Sequence, residues 1–144
     1  MFENHHAEGR ALQCHACDQG PHILIIMKIT VSELIVRFLQ QLRIRHIFGM
    51  PGAHILPVYD CLYHSDIETV LVKHEQGAAF MACGYARVSG EISACITTAG
   101  PGATNLVTGI ANAYADCQPI LVITGETSTH IFGKGGLQES SGEG

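Results

Sequence analysis

From Met27 onward the apolar and polar positions alternate between two periods. Leu34, Ile35, Phe38, Leu39 and Leu42 recur at helical spacing and mark one apolar helix face. Thr30-Val31-Ser32-Glu33 has the spacing of a capping box, in which a hydroxyl and a carboxylate satisfy free amides where the helix begins. Ile47-Phe48-Gly49 reads as a short strand ending in a turn. A helix over 53–63 follows, with Pro57 in its first turns, where a missing amide is best tolerated. The pattern continues with a strand over 68–72, an Ala-rich helix over 75–88, a strand over 92–98, a helix over 103–117 and a continuous apolar strand over 120–124. Alternating strands and helices predict an α/β fold, a parallel sheet covered by helices on both faces. In such sheets ligands bind beyond the carboxyl ends of the strands. Three turns fall there: Gly49-Met50-Pro51-Gly52, Lys73-His74-Glu75-Gln76 and Thr98-Ala99-Gly100-Pro101-Gly102.

The two ends of the chain differ from this pattern. Residues 1–26 hold four of the nine histidines (His5, His6, His15 and His22) and show neither period. Cys14-His15-Ala16-Cys17 supplies only one Cys pair, whereas a structural zinc site needs four ligands in a fixed frame. Residues 1–26 therefore read as a disordered or non-native extension, and an over-extended gene start at Met27 accounts for them. No metal site is assigned. Residues 133–144 contain five glycines and almost no apolar side chain, so 27–144 reads as a domain truncated at its C-terminus.

Composition narrows the function classes. Eight Lys+Arg against thirteen Asp+Glu give a net charge of −5, which argues against phosphate neutralisation and hence against nucleic acid as a partner. With 15% charged and 47% hydrophobic residues the chain is not a disordered acidic tail. No apolar run approaches the ~20 residues that span a bilayer, so no membrane partner is expected. Cys61, Cys83, Cys95 and Cys117 sit within apolar helix or strand patterns, where a free cysteine behaves as a small hydrophobe. With no secretory signal pattern, a reducing cytoplasm is the expected location.

The glycine-rich turns fit neither common nucleotide motif. Lys134 is followed by Gly135 rather than Ser or Thr, and Asn105 stands where a dinucleotide fingerprint needs its third glycine. Glu75 is the most informative residue, since it opens a helix directly after a strand. A carboxylate there suits the helix macrodipole, and that structural role stands beside a second one. Apolar surroundings at a strand's carboxyl end favour a carboxyl that exchanges protons with a ligand.

Several motifs occur in order: Phe48-Gly49-Met50-Pro51-Gly52-Ala53, Leu56-Pro57-Val58-Tyr59-Asp60, His74-Glu75-Gln76-Gly77-Ala78, Gly84-Tyr85-Ala86-Arg87, Thr98-Ala99-Gly100-Pro101-Gly102-Ala103-Thr104-Asn105 and Leu137-Gln138-Glu139. Together they resemble the N-terminal, pyrimidine-binding domain of thiamine-diphosphate-dependent enzymes, and most nearly the acetolactate (acetohydroxyacid) synthase large subunit. The resemblance runs from Met27 to Glu139. It implies that Glu75 is catalytic, hydrogen-bonding N1′ of the cofactor's aminopyrimidine and favouring the tautomer whose N4′ removes the thiazolium C2 proton. A 2-keto acid such as pyruvate is then decarboxylated and its remainder joined to a second carbonyl compound, a reaction of branched-chain amino acid biosynthesis.

By the same resemblance Pro51, Gly52, Thr98, Gly100, Pro101 and Asn105 contact thiamine diphosphate, while Ala53 and Gln138 border the substrate pocket. Pro51 and Gly52 serve equally as a tight turn. Two departures fall near that pocket: Leu137 stands where acetolactate synthases commonly have Phe, and Ala53-His54 replaces a frequent Gly-Ala. The family binds diphosphate and Mg2+ through a Gly-Asp-Gly element of a different domain, and this chain has no Gly-Asp-Gly. FAD belongs to a further domain of the full-length synthases. The resemblance thus implies a fragment of a carboligase, inactive alone, whose site is completed by a second copy or a diphosphate-domain chain in a homo-oligomer. A separate pyrimidine-domain subunit of a 2-keto-acid decarboxylase and a non-catalytic interaction remnant are the alternatives.

Overall fold

In a computed structural model that describes residues 28–139, four strands form one parallel sheet in the order β2-β1-β3-β4. They are β1 (His46–Gly49), β2 (Glu68–Leu71), β3 (Ser93–Thr97) and β4 (Ile120–Thr124). Five helices connect or precede them: α1 (Val31–Gln41), α2 (Leu56–Tyr63), α3 (Glu75–Ser89), α4 (Pro101–Asn105) and α5 (Val107–Ala115). The expectations for residues 1–26, including the Cys14/Cys17 pair, lie outside the described residues.

Side chains alternate across a strand, so β1, β3 and β4 divide their residues between two cores, while the edge strand β2 packs only Val70. Ile47, Ala94, Ile96, Leu121 and Ile123 meet Val36 and Leu39 of α1 and Val58 and Leu62 of α2. Phe48, Cys95, Ile120 and Val122 face the other way, against Ala78, Ala79 and Ala82 of α3 and against Leu106. Helices therefore cover both faces, as the alternation predicts. β3 is central and buried along its whole length. Its register, Phe48↔Cys95 and Cys95↔Val122, brings Gly49, Thr97 and Thr124 to the same end of the sheet.

The second core depends on small residues. A Cβ on Gly109 of α5 would lie 2.4 Å from the Ala79 Cβ of α3, so only glycine lets these helices approach so closely. Ser93 Oγ donates to the Ala82 carbonyl at 2.7 Å and ties β3 to the same helix. Gly90, at φ +71°, ends α3 in the left-handed conformation usual for a helix C-terminus.

Several boundaries move from their expected places, each for a local reason. α2 starts at Leu56 rather than 53. A helix from 53 would place Pro57 where its missing N–H should reach residue 53, whereas from Leu56 it falls in the unpaired first turn. The helix expected over 103–117 is two pieces that meet at the fully buried Leu106, whose N–H bonds the Ala103 carbonyl in a tighter turn. Cys117 is not in a buried pattern: it is exposed, at φ +52°, just beyond α5. Cys83 and Cys95 are buried, and burial pushes the Cys95 thiol up to about 12.

The capping box of α1 forms only in half. Thr30 Oγ1 accepts the Glu33 N–H at 3.1 Å, but the Glu33 carboxylate turns to Arg37 one turn along. The apolar face expected for α1 is also divided. Leu39 is buried, while Leu34, Phe38 and Leu42 stay exposed, the first two lining an apolar groove with Leu121 and Ile123 of the edge strand β4. Among the described residues no helix is long and apolar enough to cross a membrane.

Candidate functional site

The carboxyl ends of β1, β3 and β4 lead into three segments that lie together: the loop 50–55, the turn 98–105 and the stretch 125–139. The packing of small residues there is unusually tight. A Cβ on Gly52 would fall 2.5 Å from the Thr98 Cβ, and one on Gly102 would fall 2.9 Å from Thr98 Cγ2. Gly52 is therefore required by the close approach of Thr98 from another segment, a constraint separate from the tight turn weighed for it in the sequence. Gly100 is required twice over, since its φ is +58° and an added Cβ would lie 2.2 Å from the Gln138 carbonyl oxygen. Gln138 itself takes φ +59°, a conformation uncommon for a residue with a side chain.

Glu75 begins α3 and is buried, 7% exposed. The preceding His74 caps the helix, its Nδ1 accepting the Gln76 N–H at 3.2 Å. Asn105, the last residue of α4, donates from Nδ2 to Glu75 Oε2 at 3.0 Å. Among the described residues nothing donates to the other oxygen, Oε1. A buried carboxylate beside a helix N-terminus with one oxygen committed and one open can accept a hydrogen bond from a ligand donor such as a ring N–H. The dipole role and the ligand role are thus compatible at this residue.

On the other flank of the same turn, Thr98 Oγ1 donates to Gln138 Oε1 at 3.3 Å and lies 3.2 Å from His54 Nδ1. His54 is half-buried, its Cβ packed where a Cβ on Gly125 would lie 2.8 Å away. Beyond it the stretch closes on itself. The Glu139 carboxylate accepts the N–H of Gly133 and, at 2.8 Å, that of Gly136, and these amides hold its carboxyl below the usual carboxylate range.

Of the residues singled out in the sequence, Glu75 and Asn105 form one pair, while Gly52, Thr98, Gly100 and Gln138 form a second group. Pro51, Ala53 and Pro101 are exposed at the rim and enter neither hydrogen-bonded group. His54 was visible in the sequence only as a departure from a motif; its bond to Thr98 joins residues 44 positions apart, which no local pattern carries. Tyr59 lies beneath the loop, its hydroxyl 2.8 Å from where a Gly49 Cβ would stand, and burial pushes it up to about 12. Among the described residues no group of three or more His, Cys, Asp or Glu side chains could hold a metal ion.

Comparison with known proteins bears on the same residues. The family described as "Thiamine pyrophosphate enzyme, N-terminal TPP binding domain" matches residues 29–143. Over 108 residues the chain is 50% identical to a probable acetolactate synthase large subunit of Methanocaldococcus jannaschii, covering 75% of this chain and 18% of that protein. It is 48% identical over 114 residues to the acetolactate synthase large subunit of Corynebacterium glutamicum, covering 78% and 18%. It is 46% identical over 108 residues to the acetolactate synthase isozyme 2 large subunit of Escherichia coli, covering 75% and 20%. The chain thus spans about a fifth of the length of these relatives. A parallel sheet carrying a buried glutamate beyond the carboxyl end of β2 and a family match over nearly every described residue agree: the chain belongs to the N-terminal TPP-binding domain family of the thiamine pyrophosphate enzymes.

Proposed function

We propose that this chain is the pyrimidine-binding part of an acetolactate-synthase-like carboligase that decarboxylates a 2-keto acid, pyruvate in the simplest case, and joins the product to a second carbonyl compound. The observation that carries the reading is the buried Glu75 carboxylate, held through Oε2 by Asn105 and open at Oε1. When bound, thiamine diphosphate supplies the electron sink for the decarboxylation. Glu75 holds a proton between Oε1 and the pyrimidine ring nitrogen, and its burial strengthens that bond by excluding water. Asn105 fixes the carboxylate plane so that Oε1 keeps one direction. The glycines of the 98–105 turn and of the 50–55 loop bring those segments together and so give the site its shape.

Diphosphate and Mg2+ belong, on this reading, to another domain or chain that meets the carboxyl end of the sheet. FAD belongs to a further domain where the enzyme uses it. The relatives named acetolactate synthase support this assignment through their identity over the domain, and the assembly and the cytoplasmic location go with it.

The test is C2 proton exchange of bound thiamine diphosphate in the assembled enzyme carrying this segment. Glu75→Gln is expected to slow exchange by a factor on the order of 10²–10⁴, the usual contribution of a positioned acid–base group. Unchanged exchange overturns the assignment. The isolated 144-residue chain is expected to consume no pyruvate with thiamine diphosphate and Mg2+, and clear turnover by the pure chain would refute the half-site.

A further inference from the structure

The group His54–Thr98–Gln138 contains more than a structural tie, because its protons can be counted. A threonine hydroxyl has one proton and accepts with its lone pairs. Thr98 spends that proton on Gln138 Oε1, at 3.3 Å. Toward His54 Nδ1, 3.2 Å away, the same oxygen can then only accept. With that direction of donation Nδ1 carries the proton, which leaves the neutral ring with a bare Nε2. With its carbonyl oxygen engaged by Thr98, Gln138 keeps its amide NH2 free, and no hydrogen bond from the described residues reaches it. Were the ring to carry its proton on Nε2 instead, Nδ1 would take the Thr98 proton. Thr98 would then accept from the Gln138 amide, and Gln138 would turn its carbonyl outward. The tautomer of His54 thus decides whether Gln138 offers two donors or an acceptor.

We infer that His54 is a positioning residue for substrate recognition: through Thr98 it holds the Gln138 amide as a hydrogen-bond donor for an anionic oxygen, the carboxylate of a 2-oxo acid. The inference rests on the proposed function for its ligand but not for its geometry. Three contacts hold the arrangement in place. Gly125 packs on His54, Gly52 packs on Thr98, and the Gln138 backbone packs on Gly100. A donor amide matches a carboxylate, whereas an outward carbonyl repels one, so the orientation favours 2-oxo acids over neutral aldehydes as the first ligand of the site.

The first measurement is the 15N ring shifts of His54 in the full chain, which needs no substitution. The neutral ring is expected to be protonated at Nδ1, and Thr98→Val is expected to remove that preference. A neutral ring protonated at Nε2 in the native chain overturns the inference, whatever the enzyme catalyses. The second measurement is steady-state kinetics of the assembled enzyme. His54→Ala is expected to raise KM for the 2-oxo acid about tenfold with a smaller change in kcat, as for one hydrogen bond to a charged group. His54→Asn, whose amide can place an N–H where Nδ1 stood, is expected to recover most of that loss. An unchanged KM in His54→Ala, or a loss that His54→Asn fails to recover, overturns it. A Glu75→Gln enzyme with normal C2 exchange would instead sink the proposed function and leave the tautomer result standing.

Discussion

The two flanks of the turn 98–105 are held by different means. On one flank Asn105 and Glu75 sit at helix ends, α4 running on into α5 and α5 packed against α3 through Gly109 and Ala79. On the other flank His54, Thr98 and Gln138 link a loop, a strand end and a glycine-rich stretch through two hydrogen bonds longer than 3.1 Å. The first is positioned by side chains in van der Waals contact, where displacement meets steep repulsion. The second combines close backbone packing at Gly52, Gly100 and Gly125 with polar contacts worth about 1 kcal/mol each, so the orientation of its side chains is the adjustable part. On the proposed function, the first flank handles a proton and needs fixed geometry, while the second meets substrate and tolerates adjustment. The division between rigid and adjustable flanks follows that need.

This contrast can be broken from either side. The largest expected effect is the loss of C2 proton exchange in Glu75→Gln, with the urea midpoint nearly unchanged; a large fall in the midpoint would make Glu75 structural instead. Next comes Gly109→Val, which forces side-chain volume between α3 and α5. It is expected to cost about 1–3 kcal/mol by urea denaturation, or more where the helices cannot shift. A near-neutral result would show that the helix-borne flank is as adjustable as the other. Asn105→Ala is expected to cost about 1–3 kcal/mol, because Glu75 is left buried without its partner. Its effect on C2 exchange should be smaller than that of Glu75→Gln.

The smallest effect concerns pH and only the adjustable flank. The amides of Gly133 and then Gly136 lower the Glu139 carboxyl below its ordinary value of 4.5. A depressed folded-state value means that the closure contributes above about pH 4.5 and is lost as pH falls through the lower folded value. Amide exchange at Gly133 and Gly136 is therefore expected to quicken, relative to β3, as pH drops from 6 to 3. Glu139→Gln should remove that dependence, and an identical pH response in the variant would contradict it.

Much of the fold was legible because two periods carry it. All four strands and the succession of helix and strand follow from short apolar runs and from helical spacing between them. The starts and breaks of helices were less legible. Pro57 delays α2, and burial of Leu106 divides α4 from α5, both matters of where backbone hydrogen bonds can close. The exposure of Leu34 and Phe38 could not be read either, since an apolar stripe does not say whether a neighbour covers it. At the site, Glu75 stood out because it follows a strand and opens a helix. Thr98, Gly100 and Gln138 stood out by motif, while the polar bond that makes His54 part of the group did not.

The sequence by itself determined the order of strands and helices, because short apolar runs and helical spacing follow one another along the chain, and it placed Glu75 just after a strand at the start of a helix. Only the tertiary structure decided what Glu75 and Thr98 touch. Asn105 lies 30 residues from Glu75, and Gln138 lies 40 from Thr98, so their hydrogen bonds exist only once the carboxyl ends of β2, β3 and β4 are brought to one end of the parallel sheet. The same holds for Gly52 and Gly100. Their need for glycine comes from a neighbouring segment rather than from the turn alone, and steric exclusion between distant segments is not written in local sequence.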